Sequence, residues 1–382
     1  MNKKAILKFG IIIIIGVVVA SSTISAGVLA DAPPESAYID ILNNTDGDGS
    51  SSNPYVLTTV DELQAINISL SAHYVIDNNI DASETDTWNS GAGFTPIGNY
   101  EDSFLGSFDG QGYTVDGLYI NRPNRDYPVG LFGASSGDIK NIGVTNLDIQ
   151  GDESVGGLVG FTEGARIMNS YSSGSVSGDI DVGGLVGENT NTTIEKSYTN
   201  SSVNGDSGVG GLVGENRLSS NILRTYSKGS VTGEYDVGGL VGENRNTNIT
   251  KSYSIGEVSG ESRVGGLVGS NDEYSTVADS YWNTETSNQS TSAGSAIGLT
   301  TAEMTGSAAE TNMVNLDFTS VWSTVLASDA DSSADSYPIL ASVDSVIVSE
   351  SSSEEYGGMS TLVSVALLFV LFSVMVLLLV KD

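Results

Sequence analysis

The sequence predicts an all-β fold. The expected form is a right-handed parallel β-helix (solenoid) of ~27-residue coils, with short helical end caps and one C-terminal transmembrane helix. Three observations predict it. The run VGGLVG begins at Val155, Val182, Val209, Val237 and Val264, and a variant VGLFG begins at Val129. Two further ladders keep step with it, Tyr171, Tyr198, Tyr226, Tyr253 and Tyr281, then Val176, Val203, Val231 and Val258. Glycine supplies 46 of 382 residues, well above the usual ~7%, which disfavours a helical protein. A period near 27 is too short for a propeller blade and lacks the pattern of helix-pair repeats. Each unit offers short β-prone runs broken by Gly, Asn and Ser, as one turn of a stack requires.

Residues 1–30 read as a secretory signal: Lys3, Lys4 and Lys8 form the basic region and residues 11–20 the apolar one. Val28, Leu29 and Ala30 then set small residues for a cut before Asp31. An uncleaved anchor is the rival reading. Residues 31–128 are expected to form an N-terminal cap and the first coils. There Thr59-Val60-Asp61-Glu62 has capping-box spacing ahead of a short helix through Leu63 and Ile66. The repeat solenoid occupies 129–283 and a C-terminal cap 284–340. In that cap Thr300-Thr301-Ala302-Glu303 repeats the capping device, and Trp282 and Trp322 are expected beneath it. Both caps are placed over the solenoid ends, because open terminal coils expose unpaired strand edges. Residues 341–358, with Glu350, Glu354 and Glu355 among serines, read as an acidic stalk. Residues 359–382 hold the anchor and a tiny cytoplasmic tail. The uncharged run 360–380 would rise about 32 Å, enough for a ~30 Å hydrocarbon core. The bulk of the chain is then expected outside the cell, as a single-pass membrane protein.

Within a coil the side chains have distinct expected duties. Ile167, Ile194, Ile222, Ile249 and Val277, four residues before each tyrosine, should be buried against their copies. Glycines should serve corners with φ > 0 or places where backbones come close. Asn189, Asn216 and Asn244 tolerate the left-handed region next best, and their amides can bond up the stack. The tyrosines are read as a structural ladder rather than a binding strip, and Lys196, Arg224 and Lys251 as solvated.

Composition excludes several chemistries. There is no cysteine, hence no disulfide, thiolate metal site or Cys nucleophile, and His73 is the one histidine. No HExxH, no Gly-x-Ser-x-Gly elbow and no P-loop occurs. The net charge is −32. Between leader and tail, 11 bases face 46 acids, a net of −35. Such a surface repels nucleic acid and suits a salty, halophilic medium. Glu188, Glu215 and Glu243 recur at one position. A catalytic carboxyl pair is normally unique and asymmetric, so their recurrence speaks against catalysis, and weak cation binding along the ladder is expected instead. Asn44, Asp46 and Asp48 fit the first half of a calcium loop, but its twelfth position is Tyr55 rather than Glu. No other cofactor is called for. Sequons stand at Asn43, Asn67, Asn191, Asn200, Asn248 and Asn288 as possible glycosylation sites.

These residues resemble the GLUG-motif family, named for the Gly-Leu-Val-Gly core present here five times. The resemblance extends to Asn53-Pro54-Tyr55-Val56-Leu57, Phe94-Thr95-Pro96-Ile97-Gly98 and Phe104-Leu105-Gly106-Ser107-Phe108 upstream. Downstream it includes Tyr281-Trp282-Asn283, Ile297-Gly298-Leu299, Trp322 and Tyr337-Pro338-Ile339-Leu340. It covers roughly 50–340 and implies secreted or surface-attached, adhesin-like β-helices, some carried by bacterial IgA-cleaving metallopeptidases. The motif itself implies no chemistry. The expected function is therefore non-enzymatic: a membrane-anchored extracellular solenoid acting in adhesion or cell-envelope structure. Its ligand would be a glycan or protein of a neighbouring cell or the envelope. The alternative is a surface carbohydrate-active enzyme, a polysaccharide lyase or glycosidase on the same scaffold.

Overall fold

The computed structural model describes residues 35–124, 128–324, 336–341 and 343. The predicted signal, most of the stalk and the apolar run 360–380 lie outside them. Among the described residues no helix is long and apolar enough to cross a membrane.

The chain winds into a parallel β-solenoid of about six full turns, with few helices. Four sheets run along the stack. A nine-stranded sheet carries the isoleucine rungs, from Tyr55–Leu57 to Thr276–Ala278. Its register stacks Ile139, Ile167, Ile194, Ile222, Ile249 and Val277 directly above one another. A twelve-stranded sheet carries the tyrosines and ends at Ile297–Leu299. VGGLVG joins the other two, a five-stranded sheet running from Glu153–Gly156 to Ser262–Gly265 and a six-stranded sheet from Phe132–Ser135 to Val268–Asn271. Every strand pairing within these four sheets is parallel, copy on copy. Ile167, Ile194, Ile222 and Ile249 are fully buried. At ~1.5–3 kcal/mol for each large aliphatic buried, a single coil cannot offset its ordering entropy, so stability resides in the stack.

The motif glycines serve close approach, and none of them takes a left-handed φ. A Cβ on Gly183 would stand 1.9 Å from the Val186 carbonyl oxygen, and one on Gly187 2.5 Å from the Ser154 carbonyl carbon. Only bare backbone lets the five-stranded sheet lie flat on the six-stranded one. Corners with φ > 0 fall elsewhere. Asn141, Asn169, Lys196, Arg224, Lys251 and Asp279 all hold φ between 49° and 56°. These residues turn the chain from the isoleucine sheet into the tyrosine sheet. Lys196, Arg224 and Lys251 are thus corner residues, half-buried rather than simply solvated. Arg224 also pairs with Glu195 at 2.8 Å.

At the N-terminal end, helix α1 (Glu35–Asn44) packs on helix α2 (Val60–Ala65) through buried Tyr38 and Leu42. The Thr59 capping box is present: its hydroxyl accepts from the Glu62 N–H at 3.3 Å and its N–H donates to the Glu62 carboxylate at 3.1 Å.

The C-terminal cap differs from expectation. The last coil is closed by the segment just after Asn283. The Gly266 N–H donates to the Thr291 oxygen at 2.9 Å, and the Val268 N–H to Ser292 Oγ at 2.9 Å. Trp282 lies against Gly266 and donates its indole N–H to Gln289 O at 3.1 Å. Thr300 does pair with Glu303, donating its N–H and hydroxyl to the carboxylate at 2.8 Å each. Beyond this box, helix α3 (Gly306–Asn312) and the antiparallel pair Trp322–Ser323 with Ile339–Leu340 run back along the flank. Trp322 therefore packs beside the tyrosines and not beneath an end cover. The physical reason is area: the last coil needs only a short loop, whereas a file of stacked rings leaves a broad aromatic strip to cover.

Candidate functional site

The tyrosine ladder is a structural spine. Rings of Tyr171, Tyr198, Tyr226 and Tyr253 stack at centroid spacings of 4.9, 4.6 and 5.2 Å, within 8° of parallel. Met304, Met313, Leu316, Trp322 and Leu340 bury them. Trp322 sits 6.0 Å from Tyr226 and 5.5 Å from Tyr253, whose hydroxyl donates to the Pro338 carbonyl. The asparagines form the amide ladder that the repeat allows: Asn189 donates to Asn216 at 2.7 Å, Asn216 to Asn244 at 2.8 Å and Asn244 to Asn271 at 2.7 Å. They take no left-handed φ; that part of the expectation passes to the corner residues.

The predicted glutamates do stand in register, Glu188 beside Glu215 and Glu215 beside Glu243, flanked by Phe161 and Ser270. Glu188 and Glu215 are each only 5% exposed. Parallel pairing places the arginines of the same sheet over them. Arg217 reaches Glu188 and, at 3.7 Å, Glu215. Arg245 binds Glu243 at 2.5 Å and approaches Glu215 Oε1 at 3.4 Å.

Sequence reasoning missed Asp181. It precedes the motif valine, in the left-handed conformation (φ 54°), on the sheet that faces the glutamates. Oxygens of Asp181, Glu188 and Glu215 all lie within 4.8 Å of one another. Burial, then the charges of Glu215, Glu188, Glu153 and Glu243, push the Asp181 carboxyl up to about 8. Burial likewise raises Glu188 and Glu215, against the pull of Arg217 and, for Glu215, of Arg245. A signal was present in the register before each motif valine, where Ser154, Asp181, Gly208, Asp236 and Arg263 stand. A Cβ at Gly208 would lie 2.4 Å from Asp181 Oδ1, so glycine in the next coil leaves room for that carboxylate. The corresponding Asp236 is held by Arg263.

The other predicted residues are dispersed. Asn44 ends helix α1 and donates to Asp40 O at 2.7 Å, Asp46 bridges Val56, and Asp48 accepts from the Ser50 N–H at 2.9 Å. Among the sequons, Asn43, Asn191, Asn200, Asn248 and Asn288 are exposed. Asn67 is half-buried, and its side chain accepts from the Gly98 N–H at 3.0 Å. His73 Nδ1 meets Ser107 Oγ at 2.8 Å. A surface cavity of about 410 Å³, lined by Asp109, Gln111, Asn141, Asn169 and Tyr171, opens at the foot of the tyrosine ladder.

The family model described as the GLUG motif matches residues 151–177, one complete coil. That coil carries the GLUG motif. Halomucin of Haloquadratum walsbyi is 36% identical to this chain over 141 residues, 34% of this chain and 2% of halomucin. A protein of Evansella cellulosilytica described as a Gly-rich membrane protein is 32% identical over 122 residues, 30% of this chain and 14% of that one. The chain thus spans a small fraction of either of these curated relatives. Among solved structures, a Bacteroides ovatus protein described as an immunoglobulin A1 protease superposes with a TM-score of 0.60 at 19% identity. The match covers 77% of this chain and 94% of that one, and at that identity the likeness concerns the fold alone.

Proposed function

We propose that this protein is a surface-attached, extracellular, right-handed β-solenoid without catalytic activity, working by contact in adhesion or in the architecture of the cell envelope. One observation carries the reading: the coils stack in register, so each outward position forms a file one strand spacing (~4.8 Å) apart, such as Thr193, Asn221, Asn248 and Thr276. Repetition turns weak contacts into avidity. The predicted signal and apolar C-terminal run, together with relatives described as a halomucin and a membrane protein, support a place at the membrane surface. Right-handedness accords with the strong preference of parallel crossover connections. The exposed sequons are its candidate glycan carriers.

The glycosidase alternative draws on Asp181, a carboxyl held protonated near neutral pH beside other acids. The two carboxyls of a glycosidase stand about 5 to 10 Å apart and flank an open sugar cleft, whereas Glu188 and Glu215 are buried under arginines. That arrangement favours contact over hydrolysis.

The test is a glycan array probed with the purified full chain at low and high salt, with sugar release assayed in parallel. Retained binding to a defined glycan class without released product is expected. Release of soluble fragments would replace this reading with the enzymatic one.

A further inference from the structure

Among the described residues, Asp181, Glu188 and Glu215 form the one cluster of three acids, drawn from two facing sheets, whose oxygens converge on shared space. The repeating glutamates alone would meet serine or glycine from the facing sheet, at the positions of Ser154 and Gly208. At Asp181 a carboxylate stands there instead and the gap at Gly208 gives it room, whereas the aspartate at Asp236 is held by Arg263.

We infer that Asp181, Glu188 and Glu215 bind a divalent cation of the calcium class. Three observations carry this. First, oxygens within 4.8 Å of one another can share an ion whose oxygen distances are ~2.3–2.6 Å. The donors are hard carboxylates, the set that selects calcium-like ions over softer metals. Second, Glu215 is only 5% exposed and its Oε1 accepts no hydrogen bond; the nearest guanidinium nitrogen, Arg245 Nη1, stands 3.4 Å away. The Arg245 contact is an ion pair without a hydrogen bond, so this buried oxygen keeps a lone pair that a cation could take. Third, acids outnumber bases here: Asp181, Glu188, Glu215 and Glu243 face two arginines, Arg217 and Arg245, so a cation that displaces the Asp181 proton would offset the excess. Ser154 Oγ, 3.5 Å from Glu188 Oε2, and the Tyr100 hydroxyl, 3.1 Å from Ser154 Oγ, bring further oxygens to the rim.

The inference goes beyond the proposed function and is independent of it, because a contact solenoid needs no metal. The experiment is calorimetric titration of the chelator-stripped full chain with calcium chloride. Terbium luminescence, sensitised through Tyr100, serves as a second readout. Asp181→Asn is the main variant, since asparagine accepts the left-handed conformation there and removes only charge. Glu215→Gln is the second, and Glu257→Gln, at an exposed acid, is the control. The expected result is one site per chain, weakened at least tenfold in both site variants and unchanged in the control, with calcium displacing terbium. Unchanged affinity in Asp181→Asn, no calcium uptake at millimolar concentration, or only diffuse weak binding insensitive to these residues would overturn it. Equal unfolding midpoints of Asp181→Asn and the unsubstituted protein at pH 4 show that any loss reflects the site and not the fold.

Discussion

At Asp181 a single side chain changes what the array can do, and its titration is measurable. Its carboxyl is raised from an ordinary 3.8 to about 8 in the folded chain. Below pH 4 both folded and unfolded forms are protonated. Between about 4 and 8 the unfolded chain releases the proton while the folded one keeps it, so this group's contribution to stability is lost as pH rises through that window. Glu153, Glu188, Glu215 and Glu243 oppose its ionisation, while Arg217 and Arg245 ease the burial of those glutamates. In chelator-treated protein, Asp181→Asn is expected to match the unsubstituted chain near pH 4 and to unfold at increasingly higher temperature than it toward pH 8. A difference that does not grow with pH would refute this account. The acid site was only half legible at this scale. Glu188, Glu215 and Glu243 announce themselves by recurrence, but Asp181 varies among copies, and its partners lie 7 and 34 positions away along the chain. The asparagine ladder was legible because in-register stacking of an amide leaves few other partners. The corner at Lys196, Arg224 and Lys251 was not, because long cationic side chains ordinarily signal solvent rather than a positive φ.

For elements, the instructive case is the strap built from residues 300–324 and 336–341. Capping-box spacing correctly located local structure at Thr59 and Thr300, since that signal lies within four residues. It could not say where the structure docks, which depends on contacts between residues far apart, such as Tyr253 with Pro338. Trp322 is 2% exposed between Tyr226 and Tyr253. Its replacement by alanine is expected to cost about 3–5 kcal/mol, as for other buried aromatic truncations. Hydrogen exchange should then show the strap opening and the tyrosine strands losing protection, while the isoleucine sheet keeps its own. Uniform loss of protection through the whole stack would show that the strap is not a separate unit.

For the whole molecule, the coil period, the parallel stacking and the core rungs were all legible, because three registers agreed over successive copies and only a solenoid satisfies them together. Net charge acts at the same scale. A chain at −32 repels itself over distances longer than a single ion pair, and salt screens that repulsion to within ~10 Å at 0.1 M. Its unfolding temperature is expected to climb as sodium chloride rises from about 0.05 to 1 M. The arginine contacts to 5%-exposed Glu188 and Glu215 are poorly screened and should not reverse the trend. A falling or flat curve would show that local ion pairs outweigh the overall field.

The strap's return path also settles where a pull would be felt. Val343 comes to rest beside Gly143 and Tyr171, four rungs back from Tyr281. Any tether continuing from there grips the rod at its waist and not at its tip. Tension along that path would load the two-residue pairing of Trp322 and Ser323 with Leu340 and Ile339 before it reached the coils.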